Sequence, residues 1–599
     1  MKTRTHFLFL AALLLSPLVL HAQYWSDYVL EKGFESRDYF LRPHRVLTVN
    51  LKNLDAGLLG ILPDPLSEMS LQPAMLATIS GSRLYIDLKG SAEKPKAPKY
   101  RVYPLYYYDN AYFAPPYCAR PAERKLEPLV SALYVGDVAA KVLPGVKFAV
   151  SYELIHHQGT FYEYVPYWYY GAADAFGAES DASRSFPELQ PNLKQDGLDE
   201  KTETAHLLDA YLSLKPTKFL ALGAKVSRAQ TDISGDYARI NDYDDQNYHY
   251  VSRYLNEKDV NAALRQNEVS AGALFTFARR QIGFFAGRIT GDHLQFAHDR
   301  DSSFYSYDDG ARNDYFSRSR YSHFSASQWK REGTTNYIGA HGELPMQNDI
   351  AFRFRVEHQK SDVDLTNGDA VQDTSFHFYR FRYYADSLIY EADYGSRFGE
   401  DRQGEGKENA TRTNAAIGVS LPVRENSEFT VGLIFELDES KLLVHEDAEI
   451  YRSSHQRSQT PWQAPESRIG IEDKTLRLDR ATTTTRFALP VALSYYLGRG
   501  FTTHVAAIKQ FLHIETEEVI DIWYRTDSLV VIRPSSVTPE NPPQRIDRYR
   551  ATPVRRSETS LDFRLGLSFE PSKRVRLDVG LGASPTDLET WQFAFLVSL

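Results

Sequence analysis

The 599-residue chain carries 78 Asp and Glu against 69 Lys and Arg, an acidic balance that argues against nucleic acid as a partner. Its single Cys excludes an internal disulfide framework, and 42% hydrophobic with 25% charged residues excludes general disorder. The 39 Tyr and 33 Phe suit pleated surfaces and membrane interfaces, where a ring with one apolar and one wet end is favoured.

In chain order, MKTRTHFLFLAALLLSPLVLHAQ comes first. Lys2 and Arg4 precede an apolar run from Phe7 to Leu20, which predicts a signal peptide over residues 1–22, cleaved after Ala22, and an exported product. The run is short for a bilayer span, and no later segment offers a transmembrane helix. Asp64 to Leu88, DPLSEMSLQPAMLATISGSRLYIDL, reads as a short helix with a Pro break, then a Gly-Ser turn into a strand.

Beyond it the dominant signal has period two. In IAFRFRVEH, Ile350, Phe352, Phe354 and Val356 share one face, and Arg353, Arg355 and Glu357 lie on the other. LDFRLGLSF sets Leu561, Phe563, Leu565 and Leu567 against Asp562 and Arg564, and VRLDVGL sets Val575, Leu577 and Val579 against Arg576 and Asp578. Such strands come in pairs around short turns, as at Lys215-Pro216, Ala278 to Arg280, Leu421 to Asn426 and Leu497 to Gly500. Long polar stretches separate the pairs, among them His157 to Thr204, Gln230 to Gln266 and Gly291 to Gly333. Loops of that length count against a compact soluble domain, and they suit an outer-membrane barrel with short periplasmic turns and long external loops.

The expected fold is therefore all-β, a transmembrane antiparallel outer-membrane barrel of about sixteen strands of roughly ten residues, with fourteen to eighteen allowed. Strands are expected to start near Ser82, Glu127, Val146, Ala205, Thr217, Asn267, Gln281 and Thr334. They continue near Asn348, Thr411, Ser427, Thr484, Gly500, Thr559, Lys573 and Leu588, and both termini would be periplasmic. Residues 81–599 form the barrel and residues 23–80 a periplasmic or luminal segment ahead of it. VIDIWYRTDSLVVIR, Val519 to Arg533, reads as a hairpin carrying the wall beyond the membrane. WQFAFLVSL, Trp591 to Leu599, reads as the closing strand, with its apolar face toward outer-membrane lipid, and as the segment offered to the barrel-assembly machinery.

If the apolar sets face lipid, Arg353, Arg355, Glu357, Asp562, Arg564, Arg576 and Asp578 face the lumen. Their mixed signs suit salt-bridged wall positions as much as a pore lining, so they name no ion preference. Two external stretches invite ligands. Phe161 to Phe176, FYEYVPYWYYGAADAF, could hold sugars or lipid tails. Asn241 to Tyr250, NDYDDQNYHY, gathers Asp242, Asp244, Asp245 and Asn247, but Asn247 stands where a calcium loop needs Gly and Arg253 where it needs Glu. The sequence holds no G-x-S-x-G, H-E-x-x-H, Walker loop or Cys pair, and no cofactor or metal is expected.

The helix, Pro break and strand of Asp64 to Leu88 resemble the start of the barrel in the long-chain fatty-acid transporter (FadL-like) family, whose Asn-Pro-Ala motif lies between a hatch and the first strand. Here the matching residues are Gln72, Pro73 and Ala74. The resemblance implies a luminal hatch over about Gln23 to Pro63, a gate at this tripeptide, and passive passage of a small hydrophobic or amphipathic molecule across the outer membrane of a Gram-negative bacterium. An alternative is a non-transporting scaffold whose external loops bind a partner or take part in secretion or surface assembly. A third is an outer-membrane hydrolase, which would need Ser, His and an orienting group on neighbouring strands.

Overall fold

The computed structural model describes residues 29–30, 41–54, 56–89, 100–102, 119–121, 129–138, 145–159, 197–245, 249–278, 280–308, 315–346, 349–382, 389–458, 464–540, 545–550, 554–581 and 591–599. The signal peptide expected over 1–22, the aromatic stretch Phe161 to Phe176, and Asn247 of the acidic stretch lie outside them.

Alternation of side chains makes the wall. Between Leu207 and Ser213, Leu208 and Leu212 are exposed while Asp209, Tyr211 and Ser213 are buried. Val226, Val269, Phe284, Ile338, Val356, Phe487 and Phe563 continue the exposed set on other strands. A soluble protein would bury such residues; a strand whose apolar side faces out and polar side faces in belongs to a membrane barrel.

The first strands are β1 (Arg83–Lys89), β2 (Val130–Asp137), β3 (Val146–Gly159), β4 (Leu198–Thr217), β5 (Leu220–Asp245) and β6 (Tyr250–Phe277). There follow β7 (Arg280–Asp308), β8 (Phe316–Pro345), β9 (Ala351–Arg382), β10 (Ile389–Arg424), β11 (Ser427–Ser458) and β12 (Glu466–Gly498). The circuit ends with β13 (Phe501–Arg533), β14 (Ser536–Glu540), β15 (Arg545–Arg550), β16 (Val554–Ser572), β17 (Val575–Leu581) and β18 (Gln592–Ser598). Each pairs antiparallel with its neighbours, and β18 closes the ring, with Phe595 opposite both Ile86 of β1 and Leu577 of β17. Because β14, β15 and β16 all lie along β13, these eighteen described segments occupy sixteen positions around the ring. Three shorter pieces, Val29–Leu30, Tyr100–Val102 and Ala119–Pro121, form a separate small sheet.

Each expected strand has a counterpart, but the lengths do not agree with expectation. Crossing a bilayer takes about 9–11 residues, yet β4 to β13 run from 20 residues in β4 to 36 in β10. Gln230 to Gln266 and Gly291 to Gly333, expected as loops, are mostly the upper halves of β5 to β8. Polar residues dense along these stretches masked the alternation, although the inner face still buries Ile233, Tyr237, Ile240, Leu255, Val260 and Leu264. The first turn also moves: β4 continues through Lys215-Pro216 to Thr217. Val519 to Arg533 is one continuous end of β13, and the hairpin bends after it, at Pro534-Ser535, into β14. By contrast β1, β2, β17 and β18 have 7 or 8 residues, about one membrane crossing. No helix among the described residues is long and apolar enough to cross a membrane.

Inside the ring lies the segment from Leu41 to Ser80. Helix α1 (Val49–Leu54) is followed by α2 (Pro65–Leu71), which starts where sequence rules place it: the Asp64 side chain accepts from the Ser67 amide and Pro65 sits in the first turn. Gln72 turns extended, as a residue before proline prefers, and Pro73–Thr78 forms a tight 3-10 turn leading to β1.

Candidate functional site

The wall beside Gln72-Pro73-Ala74 lacks side chains. Gly223 of β5 and Gly272 of β6 are register partners, and Gly283 of β7, opposite Leu274, lies two pairs further down on the same face. A Cβ on Gly223 would collide with the backbone of Pro73 and Ala74; one on Gly272 would lie 2.9 Å from the Gln72 side chain, and one on Gly283 2.5 Å from it. These glycines form a notch, and the tripeptide fills it. On the outward face of the same three strands, Ala224, Ala271 and Ala286 line up as successive partners, so the wall is thin on both sides. Gln72 is wholly buried. Its Nε2 donates to the Ala273 carbonyl at 2.7 Å, and its Oε1 accepts from His341 Nε2 at 2.6 Å.

The opposite flank is gripped by guanidinium groups. Arg353 donates to the Ile61 carbonyl at 3.3 Å and meets Glu343 at 3.1 Å, and Arg355 donates to the Leu59 carbonyl at 2.8 Å and to Asn414 at 2.9 Å. Glu357 accepts from Arg45 at 3.1 Å. The Ile61 side chain sits against Gly418 and Gly432, paired glycines of β10 and β11.

Between these flanks, cations of the luminal segment enter an acidic stripe of wall. Both His44 ring nitrogens face carboxylates, Nδ1 to Asp209 at 2.9 Å and Nε2 to Glu153 at 2.9 Å, a geometry that satisfies the doubly protonated ring. Burial pulls the His44 pKa down, but Asp209 and Glu153 outweigh it and hold it up at about 9. Lys52 reaches Asp87 at 3.0 Å, Ser131 at 2.9 Å and Glu153 at 3.4 Å. Lys225 comes from the wall itself, donating to the His44 carbonyl at 2.6 Å and to Glu268 at 3.0 Å. At Glu68 of α2, burial and then the nearby Asp64 outweigh the opposing pull of Arg353 and push its carboxyl up to about 7.

Of the charges placed in the lumen by sequence, Arg353, Arg355 and Glu357 are buried on the inner face against the luminal segment. Arg576 and Asp578 pair with each other at 2.7 Å, away from that grip, and Asp578 also accepts from Ser568. Arg564 is half-buried on β16, and the Asp562 side chain lies outside the described residues. In the acidic stretch, Asp242 pairs with Arg253 at 3.2 Å and Tyr243 donates to Asp245 at 3.2 Å. No metal-holding group of His, Cys, Asp and Glu occurs among the described residues. Neighbouring strands do bring together Ser494, His504 and Ser568, with His504 between the hydroxyls at 2.9 and 2.8 Å. Ser568 is buried and donates to Asp578.

The sequence reading missed His44, Lys52, Glu153, Asp209, Lys225 and Glu268. Each wall member is a lone charge at an inward position among apolar or small neighbours, as Lys225 is in LALGAKVS and Asp209 in LLDAYLSL. A buried, isolated charge needs a partner, and that requirement was the available signal.

Higher on the wall the inner face turns apolar. Leu365, Gly406, Val444, Leu478 and Ile520 are successive partners from β9 to β13, and their four side chains are buried. Leu365 lies ten residues above Arg355 on β9, roughly 33 Å along the strand.

No protein-family model matches the chain, and no curated protein does. Among solved structures it is similar to a Pseudomonas aeruginosa FadL homologue, with a TM-score of 0.31 and 10% identity over 92% of this chain and 99% of the other. It is also similar to the ferric enterobactin receptor of Pseudomonas aeruginosa, with a TM-score of 0.16 and 8% identity over 66% and 78% of the two chains.

Proposed function

We propose that the barrel lies in the outer membrane of a Gram-negative bacterium and passes a small hydrophobic or amphipathic molecule, with Gln72-Pro73-Ala74 as the gate. The observation that carries this reading is the notch: a plug residue seated where three wall strands carry glycine inside and alanine outside can move without unpicking side-chain packing. The apolar inner row from Leu365 to Ile520 lies packed above the luminal segment, and such a molecule passes it only as that packing opens. Residues 23–80 then act as a hatch, and the closing strand β18 is what the assembly machinery would engage.

Uptake of a fluorescent dodecanoyl chain into proteoliposomes tests it. The native protein should exceed protein-free vesicles, and Gly223→Val, which displaces Pro73-Ala74, should change the rate about fivefold or more. Uptake no faster than in empty vesicles would sink the reading.

One observation favours the scaffold reading. Ile469, Ile471, Ile532, Val537 and Ile546 are exposed on the upper outer wall, well above the lipid-facing band that holds Phe487 and Leu489 on β12. If that surface serves a surface-assembly partner, Ile471→Asp with Val537→Asp should abolish co-purification of that partner and leave uptake untouched.

A further inference from the structure

The tops of β8 to β12 carry a groove of about 490 Å³ that the transport reading does not use. One row of its floor is Tyr321, Ser375, Ser396, Ser454 and Arg468, register partners across the five strands, all exposed. They lie on the inner face, because they share strand parity with Arg355, Arg402, Glu446 and Leu476, which are buried inside. The next row down the chain is Ser319, His377, Tyr394, Gln456 and Glu466, half-buried. Five neighbouring strands span about 19 Å at the usual inter-strand spacing.

Two properties select the ligand. The first is an aromatic ladder on the same face: Tyr379 stacks on Tyr394 with centroids 5.8 Å apart and planes 20° apart, His377 lies 6.5 Å from Tyr394, and Phe381 lies 5.9 Å from Tyr390. Flat rings of this kind receive the C–H faces of other rings. The second is the density of neutral groups that both donate and accept, the hydroxyls of Ser375 and Ser396 (2.6 Å apart) and of Tyr379 and Tyr394 (3.0 Å apart) among them. The ionised groups named on this face are already committed to one another: Glu466 accepts from Arg468 at 2.5 Å and from Arg533 at 2.9 Å, one carboxylate holding two guanidiniums. A phosphate or carboxylate ligand would need a cation not already committed, whereas a polyhydroxyl chain needs stacking surface and exchangeable hydroxyls. We infer that this groove binds a neutral oligosaccharide, laid across β8 to β12 on the inner face of the upper wall.

Calorimetric titration tests the site, using full-length protein in a detergent without a sugar headgroup and maltoheptaose, cellohexaose and chitohexaose as neutral probes. Polygalacturonate serves as the anionic comparison. At least one neutral probe should bind. Tyr394→Ala and Ser396→Trp should each weaken it about tenfold or more, the first by removing the stacking ring and the second by filling the groove. Ile471→Ser, on the outward face of β12, should bind as the native protein does, and a boiling-dependent shift on SDS gels verifies that each variant is folded. No binding of any neutral probe at millimolar concentration, a folded Ser396→Trp with native affinity, or preferential binding of polygalacturonate would each overturn the inference. Dodecanoyl uptake in the same variants should stay at the native rate, which separates this site from the gate.

Discussion

The luminal segment is held differently on its two sides. At Gln72-Pro73-Ala74 the wall yields space, through Gly223, Gly272 and Gly283, and the side-chain contacts given among the described residues run from the neutral Gln72 amide to the Ala273 carbonyl and to His341. Across the lumen and along the acidic stripe it is fastened by ions: Arg353 and Arg355 on carbonyls, His44 and Lys52 on carboxylates. Shape complementarity does not titrate, and charge complementarity does. The notch side is thus the one that can be released by a small displacement, while the ionic side anchors the segment and makes its hold depend on pH. Buried ion pairs are poor sources of net stability but costly to break singly, which suits an anchor whose task is to fix a position.

The sharpest way to break this contrast is to delete one anion. Asp209→Ala leaves His44 and Lys225 buried with a carboxylate removed from both, and should destabilise the docked segment by about 3–5 kcal/mol. Subtilisin should then cleave between Leu41 and Ser80 in the folded barrel, where the native protein resists. An unchanged digestion pattern would mean that the ionic side is not the anchor.

Next in size is pH. The folded His44 pKa lies above its ordinary 6.5, so its contribution is complete below 6.5 and fades as pH rises through about 9. A shift of that size corresponds to about 3 kcal/mol. Glu68 acts in the same direction lower on the scale: its raised pKa means the folded state keeps a proton, and that contribution fades between 4.5 and about 7. Docking should therefore loosen continuously on going from pH 6 to pH 10, read as faster subtilisin cleavage relative to a small unstructured substrate. His44→Gln should remove the upper part of that change, above pH 7, and leave the lower.

How much of this was legible in the sequence follows from where water is. In the membrane-crossing thirds of the strands, lipid on one side enforces clean alternation, and IAFRFRVEH or LDFRLGLSF declares both strand and face. At the strand tops polar residues fall on both faces, so NDYDD or FSRSRYSHFS reads as loop although each belongs to a strand whose backbone simply continues its neighbours' ladder. The luminal helix was legible from Asp64-Pro65 and Gln72-Pro73 because capping is local. The notch was not, since Gly223, Gly272 and Gly283 meet only through register set by chain closure. Nor was the acidic stripe, whose members come from β1, β3, β4, β6 and β9 and whose cations arrive from residues 44 to 52 and from Lys225 of β5.

A smaller effect is expected on the arginine side. Arg355→Met keeps the volume of the side chain against Gly60 but loses the bonds to the Leu59 carbonyl and to Asn414. Hydrogen bonds from a charged donor are worth about 1.5–3 kcal/mol, and two neighbouring grips, Arg353 on Ile61 and Arg45 on Glu357, remain. Cleavage by subtilisin should therefore rise modestly, and mainly near Leu59, well short of the response to Asp209→Ala.

The smallest effect, and the one that sharpens the contrast most, belongs to Gln72→Asn. It removes one methylene and no charge. The amide has to span from the Ala273 carbonyl on β6 to His341 on β8, at 2.7 and 2.6 Å, and the shorter side chain cannot keep both. Losing one neutral hydrogen bond costs about 0.5–1.5 kcal/mol. Because the Gly272 and Gly283 surfaces leave room for the change, no overpacking adds to it. That loss touches none of the ion pairs that hold His44 and Lys52, so Gln72→Asn should raise dodecanoyl uptake slightly while leaving the pH dependence of subtilisin cleavage unchanged. If instead it alters the pH profile, the two sides are not independent, and the tripeptide is held by the same ionic network as the rest of the segment.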